Sequence, residues 1–348
     1  METELKSRRY TVPDLAGAME LCYANGWTDG LPVVPPTAEH IGAMLEAAGT
    51  APQQQLAFIE NRQVSVTAEK VAINAVMAGC KAEYMPVIVA TVEALGDPLY
   101  GYHGPATSTG GSAVFMVVNG PIARELDINC GDNLFGPGWR ANATIGRAVR
   151  LIMRNVIGTL PGELDRSTLG HAGKYSYCIA ENEVESPWPP LHVARGFRPD
   201  QNAVTIFAAL APNQFNNGLS STPEGVLTTA CAHMRISAGS ARQPQYALVL
   251  AGEHMAIMKK AGWSREDVQR YCFEHSQSPV AELKRINMLS GNVTPEDERT
   301  MCALVEAPQD LLVIAAGGRA GNKSAFIPGW GSKRGSQSVT REIRLNRR

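Results

Sequence analysis

The sequence predicts an α/β or α+β protein, with a helical N-terminal region followed by a mixed sheet with glycine-rich loops. Capped helical segments fill the first hundred residues. Short, continuous apolar runs begin only near residue 113, and further helical segments lie between them. The 348 residues are 44% hydrophobic and 19% charged, which is the composition of a globular protein.

Four helices are predicted in the N-terminal region, each bounded by a capping residue, a glycine or a proline. They are Pro13–Asn25, Ala38–Ala48, a helix from Thr67 to about Cys80 and a helix from Pro86 to about Leu95. The segment Trp27–Thr37 contains three prolines, so it should form an extended connector rather than a helix.

Strands are predicted where an apolar run is bounded by turn residues. They are Ala113–Val118, Val204–Leu210, Tyr246–Ala251 and Leu311–Ala316. The helices predicted between them are Ile145–Val156, Arg265–His275 behind a capping box, and Val280–Asn287. The whole chain, 1–348, reads as one large globular unit. The alternative is a division into 1–197 and 198–348 at a proline-rich connector.

Bulk properties exclude several classes of protein. The net charge of −1 gives no global field for nucleic acid or membrane binding. The N-terminus has no apolar segment of signal-peptide length, so we expect a soluble, cytoplasmic protein. The seven cysteines are scattered and include no CxxC, which predicts buried thiols in a reducing compartment. The locally basic segment 333–348 is typical of a solvated or oligomer-contacting tail.

The most informative segment is Gly101–Glu185. Nine of the 33 glycines fall within residues 101–150, around one short apolar strand that ends at Asn119. Loops so rich in glycine lose much backbone entropy on ordering and bury little apolar surface. That cost indicates an enzyme-like pocket.

A Gly-Pro-Gly loop and the helix start that follows it, Gly136–Arg147, form the first candidate subsite. Helix starts offer unpaired N–H groups, and Arg140 and Arg147 add positive charge, so we expect a carboxylate or phosphate to bind there. Asn142 would supply a further amide. In the alternative interpretation, Asn142 caps the helix and the arginines form structural salt bridges.

An extended segment, Lys174–Glu183, is the second candidate subsite. In a strand, Glu181 and Glu183 would face the same way and could transfer protons, and Lys174 would favour a thiolate at Cys178. The alternative is a solvated strand edge with a buried cysteine. A metal site formed by Cys178, Glu181, Glu183 and His192 would match no standard ligand spacing.

A third candidate wall follows the last predicted strand. Gly317 and Gly318 begin a loop in which backbone amides and Lys323 could hold an anion. The loop is not a phosphate-binding P-loop, because it lacks the contiguous Gly-Lys and because Pro328 would block the following helix. No nucleotide-binding motif is present, so the sequence indicates no particular cofactor.

Five blocks carry a resemblance to a known family: WTDGLPVVPPT, VNGPIA, FGPGWRANATIGRA, GKYSYCIAENEVESPW and the AAGG…KSAFIPGWG segment. Together they resemble bacterial proteins linked to the UGSC-type (seleno)proteins, over about Trp27–Trp330. In that group, long chains accompany a small α/β module that carries a Sec/Cys-Gly-Ser-Cys motif. This chain has neither UGSC nor CGSC, so the resemblance implies a partner subunit that carries the reactive thiol or selenol.

These observations predict an enzyme, or the substrate-binding large subunit of one, that acts on a small anionic organic molecule. A lyase or oxidoreductase fits thiol and carboxylate assistance somewhat better than a hydrolase. Arg140, Arg147, Lys174 and Lys323 would hold the anion, and Asn119, Asn142 and the glycine loops would supply amide donors. The alternatives are a non-catalytic scaffold for a small thiol- or selenol-bearing partner, and a metal-dependent hydrolase or lyase. A homo- or hetero-oligomer is expected, without nucleic acid or membrane partners.

Overall fold

A computed structural model describes residues 4–237 and 243–346. Arg347 and Arg348 of the basic tail lie outside these residues. Within them the chain forms the following helices: α1 (Leu15–Ala24), α2 (Ala38–Ala48), α3 (Ala68–Ala78), α4 (Met85–Leu95), α5 (His103–Thr107), α6 (Pro121–Glu125), α7 (Arg140–Asn155), α8 (Leu191–Ala194), α9 (Pro223–Ser237), α10 (Gly252–Ala261), α11 (Arg265–His275) and α12 (Val280–Arg285).

The strands of the described residues are β1 (Gln55–Ile59), β2 (Val64–Thr67), β3 (Ala113–Asn119), β4 (Cys178–Ala180), β5 (Ala203–Ala209), β6 (Asn213–Asn216), β7 (Tyr246–Leu250), β8 (Ser278–Pro279), β9 (Met301–Cys302), β10 (Leu311–Ala315), β11 (Lys323–Pro328) and β12 (Val339–Glu342). The fold is therefore mixed α and β, as predicted.

Two four-stranded mixed sheets organise the molecule. The first has the order β12-β5-β3-β4, in which β3 and β4 are parallel. The second has the order β10-β7-β11-β6, in which β10 and β7 are parallel and β11 is antiparallel to both of its neighbours. Strands β1 and β2 form a separate antiparallel hairpin, and β8 and β9 form a short two-stranded pair.

The two sheets pack face to face. On β3, Phe115 and Val117 point into a core that also contains Val249 of β7 and Ile314 of β10. The residues between them point the opposite way, because successive side chains of a strand alternate between its faces. Both faces of these strands are therefore apolar, which explains why they read as continuous apolar runs.

Helices cover the outer faces. Val114, Met116 and Val118 of β3 pack into a core formed with α2, α3, α4 and α7. On the second sheet, Leu248 of β7 and Val313 of β10 pack against α9, α10 and α11. The result is four layers in the order helices, sheet, sheet, helices.

The chain crosses between the sheets twice. It leaves the first sheet after β5 and returns after β11, where Trp330 N donates to Ala208 O at 2.8 Å. Strand β12 then completes the first sheet beside β5, with Val339 opposite Ile206. The division predicted at residue 197 does not follow the sheets, because β5 and β12 both belong to the first one.

Locally determined elements agree with the sequence prediction. Helix α2 spans the predicted residues, with Thr37 accepting from His40 N and Gly49 in the left-handed conformation. Helix α11 also has the predicted bounds, with the Ser264–Asp267 capping box in place. The first hundred residues are not purely helical, because the hairpin of β1 and β2 lies within them. Helices α9 and α10 and strands β6, β11 and β12 were not predicted either.

The helix after the Gly-Pro-Gly loop begins at Arg140, five residues before the predicted start. Asn142 therefore lies inside α7, and Trp139 occupies the N-cap position, so the prediction that Asn142 caps this helix is wrong. No helix in the described residues is long and apolar enough to cross a membrane.

Two helical glycines provide a test of this packing. A Cβ at Gly146 of α7 would lie 2.3 Å from Ser176 Oγ and 2.8 Å from Tyr177 N, whereas a Cβ at Gly42 of α2 would meet nothing within 4 Å. We expect Gly146→Ala to destabilise the protein by about 1–3 kcal/mol through overpacking. Gly42→Ala should stabilise it by about 0.5–1 kcal/mol through helix propensity. Urea unfolding measures both, and equal effects would contradict the described contact of α7 with residues 176 and 177.

Candidate functional site

A cleft of about 420 Å³ lies at the carboxyl ends of β7 and β10. We call it the Lys323 cleft. One wall is the Asn133–Gly136 loop, and the other contains Gly317, Gly318 and Lys323. Val249, Ala251, Ala316 and Ala325 contribute small apolar surface between the walls. The cleft therefore contains the third predicted wall, whereas of the first predicted subsite, Gly136–Arg147, only Gly136 lines it.

Backbone hydrogen bonds hold the walls in place. Gly317 N donates to Cys130 O at 2.8 Å, which ties the loop after β10 to the segment that leads into Asn133–Gly136. Gly252 N donates to Gly318 O at 3.0 Å and ties the same loop to the start of α10. Gly317 has φ +115°, and a Cβ there would lie 2.7 Å from Ala251 Cβ. Glycine is required at this position for both reasons.

The strand register sets the direction of the polar side chains. Ala325 pairs with Gln214 of β6, so these two residues and Lys323 share one face of the sheet. It is the face that contributes Ile327 to the core between the sheets. Lys323 is exposed and has no carboxylate within 4.0 Å among the described residues. It is a free cation on the wall of the cleft.

A buried Ser–His pair lies on the opposite face of β11. Ser324 Oγ accepts from Ala251 N at 3.1 Å and lies 2.7 Å from His254 Nδ1. His254 Nε2 lies 3.0 Å from the carbonyl oxygen of Asn217. Because a carbonyl only accepts, Nε2 carries the ring proton, and Ser324 donates to Nδ1.

Burial lowers the pKa of His254, more than the Asn217 carbonyl and Glu253 raise it, which is consistent with a neutral ring. The hydrogen-bond chain from Asn217 through His254 and Ser324 to Ala251 fixes the first residues of β11 beside Lys323. Sequence reasoning missed this pair. The only sequence signal was a histidine in the first turn after an apolar strand, which by itself is unspecific.

The predicted carboxylates Glu181 and Glu183 meet Asn119 where β3 and β4 end. Asn119 Nδ2 donates to Glu181 Oε2 at 2.7 Å and to Glu183 Oε1 at 2.9 Å. Glu181 is buried and also accepts from Leu191 N at 2.6 Å and from Arg265 Nη2 at 3.0 Å. Burial raises the pKa of Glu181, and the Arg265 charge opposes that effect.

Glu183 is the more accessible of the two carboxylates. Its side chain is 25% exposed, and its Oε1 also accepts from Gly120 N at 2.7 Å. The His192 ring, which is fully buried, lies 3.9 Å from the same oxygen. Glu185 points elsewhere and pairs with Arg319 at 2.6 Å. Strand β4 ends at Ala180, so Glu185 does not continue the strand alternation beyond Glu181 and Glu183.

Lys174 is in a different environment from the one predicted. It lies in a short 3-10 helix, and its Nζ donates to both carboxylate oxygens of Asp165, at 2.9 and 2.7 Å. Arg150 Nη2 donates to the same carboxylate at 2.8 Å. Burial raises the pKa of Asp165, but the hydrogen bonds from Lys174 and Ser167 outweigh it and hold the pKa well below its usual range. The adjoining cavity, about 10 Å³, has room for a single water.

The arginines of α7 contact protein groups. Arg140 donates to Gly79 O at 3.1 and 2.9 Å, and Arg147 forms a two-pronged ion pair with Asp29 at 2.8 Å. Asn142 accepts from Asn129 N at 2.7 Å and donates to Cys178 O at 3.0 Å. Arg147 thus follows the structural alternative, and none of the three residues lines the Lys323 cleft.

The thiols near these groups are protonated at neutral pH. Burial raises the pKa of Cys178 to about 12 and that of Cys80 to about 12. Cys178 Sγ is enclosed in the core beneath β3 and α7, so the structure offers no support for a nucleophilic thiolate there. In residues 4–237 and 243–346, no group of three or more His, Cys, Asp or Glu side chains is arranged to hold a metal ion.

The chain matches no protein-family model and no curated protein. The resemblance to the UGSC-type proteins stays a prediction.

Lys174→Met tests whether this lysine is structural. We expect the variant to lose about 1–3 kcal/mol of unfolding free energy at pH 7, because buried Asp165 is left with fewer partners. Since the native pKa of Asp165 is lowered, its stabilisation is present above the ordinary aspartate pKa of about 4 and is lost as the pH falls below it. The difference between variant and wild type should therefore shrink in acid.

Urea unfolding at pH 7 and pH 3 measures both effects, with exposed Lys81→Met as the matched control. A Lys174→Met variant as stable as the wild type would contradict the structural role.

Proposed function

We propose that the chain is an enzyme, or the substrate-binding large subunit of one, that acts on a small anionic organic molecule bound in the Lys323 cleft. The observation that carries this proposal is Lys323 itself. Its ammonium group lies on the wall of a concave site and has no carboxylate partner among the described residues. A carboxylate or phosphate in the cleft would supply that partner.

The position and size of the cleft support the same function. Ligands of α/β proteins bind beyond the carboxyl ends of parallel strands, which is where β7 and β10 end. The volume of about 420 Å³ suits a small metabolite. Gln214 adds an amide to the wall, and the alanines accept a short hydrocarbon part.

The charge distribution orients the ligand. Asp132 is exposed, and its Oδ1 lies so close to Gly318 that a Cβ there would be 2.1 Å away. Like-charge repulsion disfavours a negative group next to Gly318, so an anionic group of the ligand should lie near Lys323.

Proton transfer in a lyase-type reaction would fall to Glu183 rather than to Glu181. Both oxygens of Glu181 accept hydrogen bonds from protein donors in the interior. Glu183 is partly exposed; burial chiefly raises the pKa of the Cys130 thiol, and the charges of Glu185 and then Glu183 raise it further. The Cys130 carbonyl in turn holds Gly317 of the cleft. A partly exposed carboxylate such as that of Glu183 has the chemistry of a general base.

Lys323→Ala tests the anion site. With succinate and its neutral analogue succinamide as probes, we expect wild-type protein to bind the diacid in preference to the diamide. The variant should bind succinate about tenfold more weakly or worse, the effect of losing one charge-assisted hydrogen bond. Lys323→Arg should retain part of the affinity. Isothermal titration calorimetry at low salt measures these affinities.

Lys260→Ala is the matched control, because Lys260 is an exposed lysine on α10 that does not line the cleft. The proposal fails if succinate and succinamide bind alike, or if Lys323→Ala and Lys260→Ala have the same effect.

A further inference from the structure

A second concave site is partly lined by residues of α8. It has a volume of about 480 Å³ and is lined by Pro187–Pro189, by Val193 and Ala194 of α8, by Lys259 and by Gly262–Glu266. We call it the Trp pocket, after Trp188 and Trp263. It shares no lining residue with the Lys323 cleft.

The indoles of the Trp pocket are held rigidly. Trp188 is 5% exposed, and its Nε1 donates to Trp263 O at 2.8 Å. The Arg265 guanidinium lies over the Trp188 ring, 5.9 Å from its centroid. Trp263 is half-buried and packs against Tyr271. Fixed indoles beside prolines form flat walls, which favour an aromatic ring over a flexible chain.

Polar groups converge on the same pocket. Arg265 is buried, with its Nη2 on Glu181, and its Nε has no hydrogen-bond partner among the described residues. Arg265 is also the first residue of α11, an eleven-residue helix capped by Ser264. The first turn of that helix carries Glu266 and Asp267, whose negative charges offset the positive end of the helix.

The other charged side chains around the Trp pocket determine how a ligand is oriented in it. Lys259 is exposed and has no carboxylate within 4.0 Å among the described residues. Its charge still reaches Glu185, whose pKa is lowered chiefly by Arg319 and to a smaller extent by Lys259. Glu266, in the first turn of α11, is the carboxylate in the lining, and Glu181 neutralises Arg265. An anionic group is therefore favoured beside Lys259, at the end of the pocket away from Glu266.

We propose that the Trp pocket binds a small aromatic carboxylate. The ring lies against Trp263 and Trp188, and the carboxylate lies beside Lys259. This site is independent of the Lys323 cleft, so an aromatic acid would be a second ligand of the protein rather than its small aliphatic substrate.

Benzoate is the probe for this site, with benzyl alcohol as its neutral analogue and hexanoate as its non-aromatic analogue. We expect benzoate to change the tryptophan fluorescence saturably and to bind more tightly than either analogue. Lys259→Ala should weaken benzoate binding about fivefold or more, while Lys260→Ala and Lys323→Ala should leave it unchanged. Trp263→Phe should keep calorimetric binding and lose much of the fluorescence change.

The proposal is wrong if benzoate gives no saturable signal in fluorescence or calorimetry, or if benzyl alcohol binds as tightly as benzoate. It is also wrong if Lys323→Ala, rather than Lys259→Ala, weakens benzoate binding. The last result would place benzoate in the Lys323 cleft. Succinate should still bind to the Lys259→Ala variant. This measurement distinguishes the test of the Lys323 cleft from the test of the Trp pocket.

Discussion

The face-to-face packing of the two sheets constrains the rest of the molecule. Because Phe115 and Val117 of β3 oppose Val249 and Ile314 of the second sheet, and the alternate residues face helices, no polar side chain can lie along the middle of these strands. The polar groups that the two sheets contribute to the candidate site therefore lie at strand ends. Asn119, Glu181 and Lys323 all lie at such ends.

That confinement makes the ion pair between Glu181 and Arg265 important. Glu181 follows β4 of the first sheet, whereas Arg265 begins a helix that covers the second. A buried ion pair adds little net stability, because its desolvation offsets the attraction, yet removing one partner leaves an isolated buried charge. The pair therefore determines where the first sheet contacts the helix layer of the second sheet more than it adds to the stability of that contact. The Lys323 cleft and the Trp pocket both lie close to this junction.

How far the sequence predicts this structure depends on the range of the interaction. Helices α2 and α11 were predicted to the residue because their caps and stops are local. The sequence predicts a loop where strand β11 forms, because a glycine-rich segment and a proline flank an element that is stabilised by pairing with β6 and β7. Asp29 and Arg147 are 118 positions apart, so no local pattern could pair them.

The site follows the same rule. Gly317, Gly318 and Lys323 were predicted together because they are neighbours in sequence, and they line one cleft. Ser324 and His254 are 70 residues apart, and Glu181 and Arg265 are 84 apart, so their contacts depend on the completed fold. Lys174 was predicted near Cys178 through sequence proximity, but its ammonium group contacts Asp165 instead.

The return of β12 to the first sheet has a consequence for synthesis on the ribosome. When a growing chain has just passed β5, that strand has no partner on its outer edge, and the inner face of the sheet has no second sheet to cover it. An open, apolar strand edge is a template for pairing with other chains. The unpaired edge and the uncovered face persist until residues 213–342 have emerged from the ribosome. The part of the chain up to β5 therefore cannot complete its folding before the part that follows it. Premature termination anywhere in that interval should leave an aggregation-prone fragment rather than a smaller folded protein.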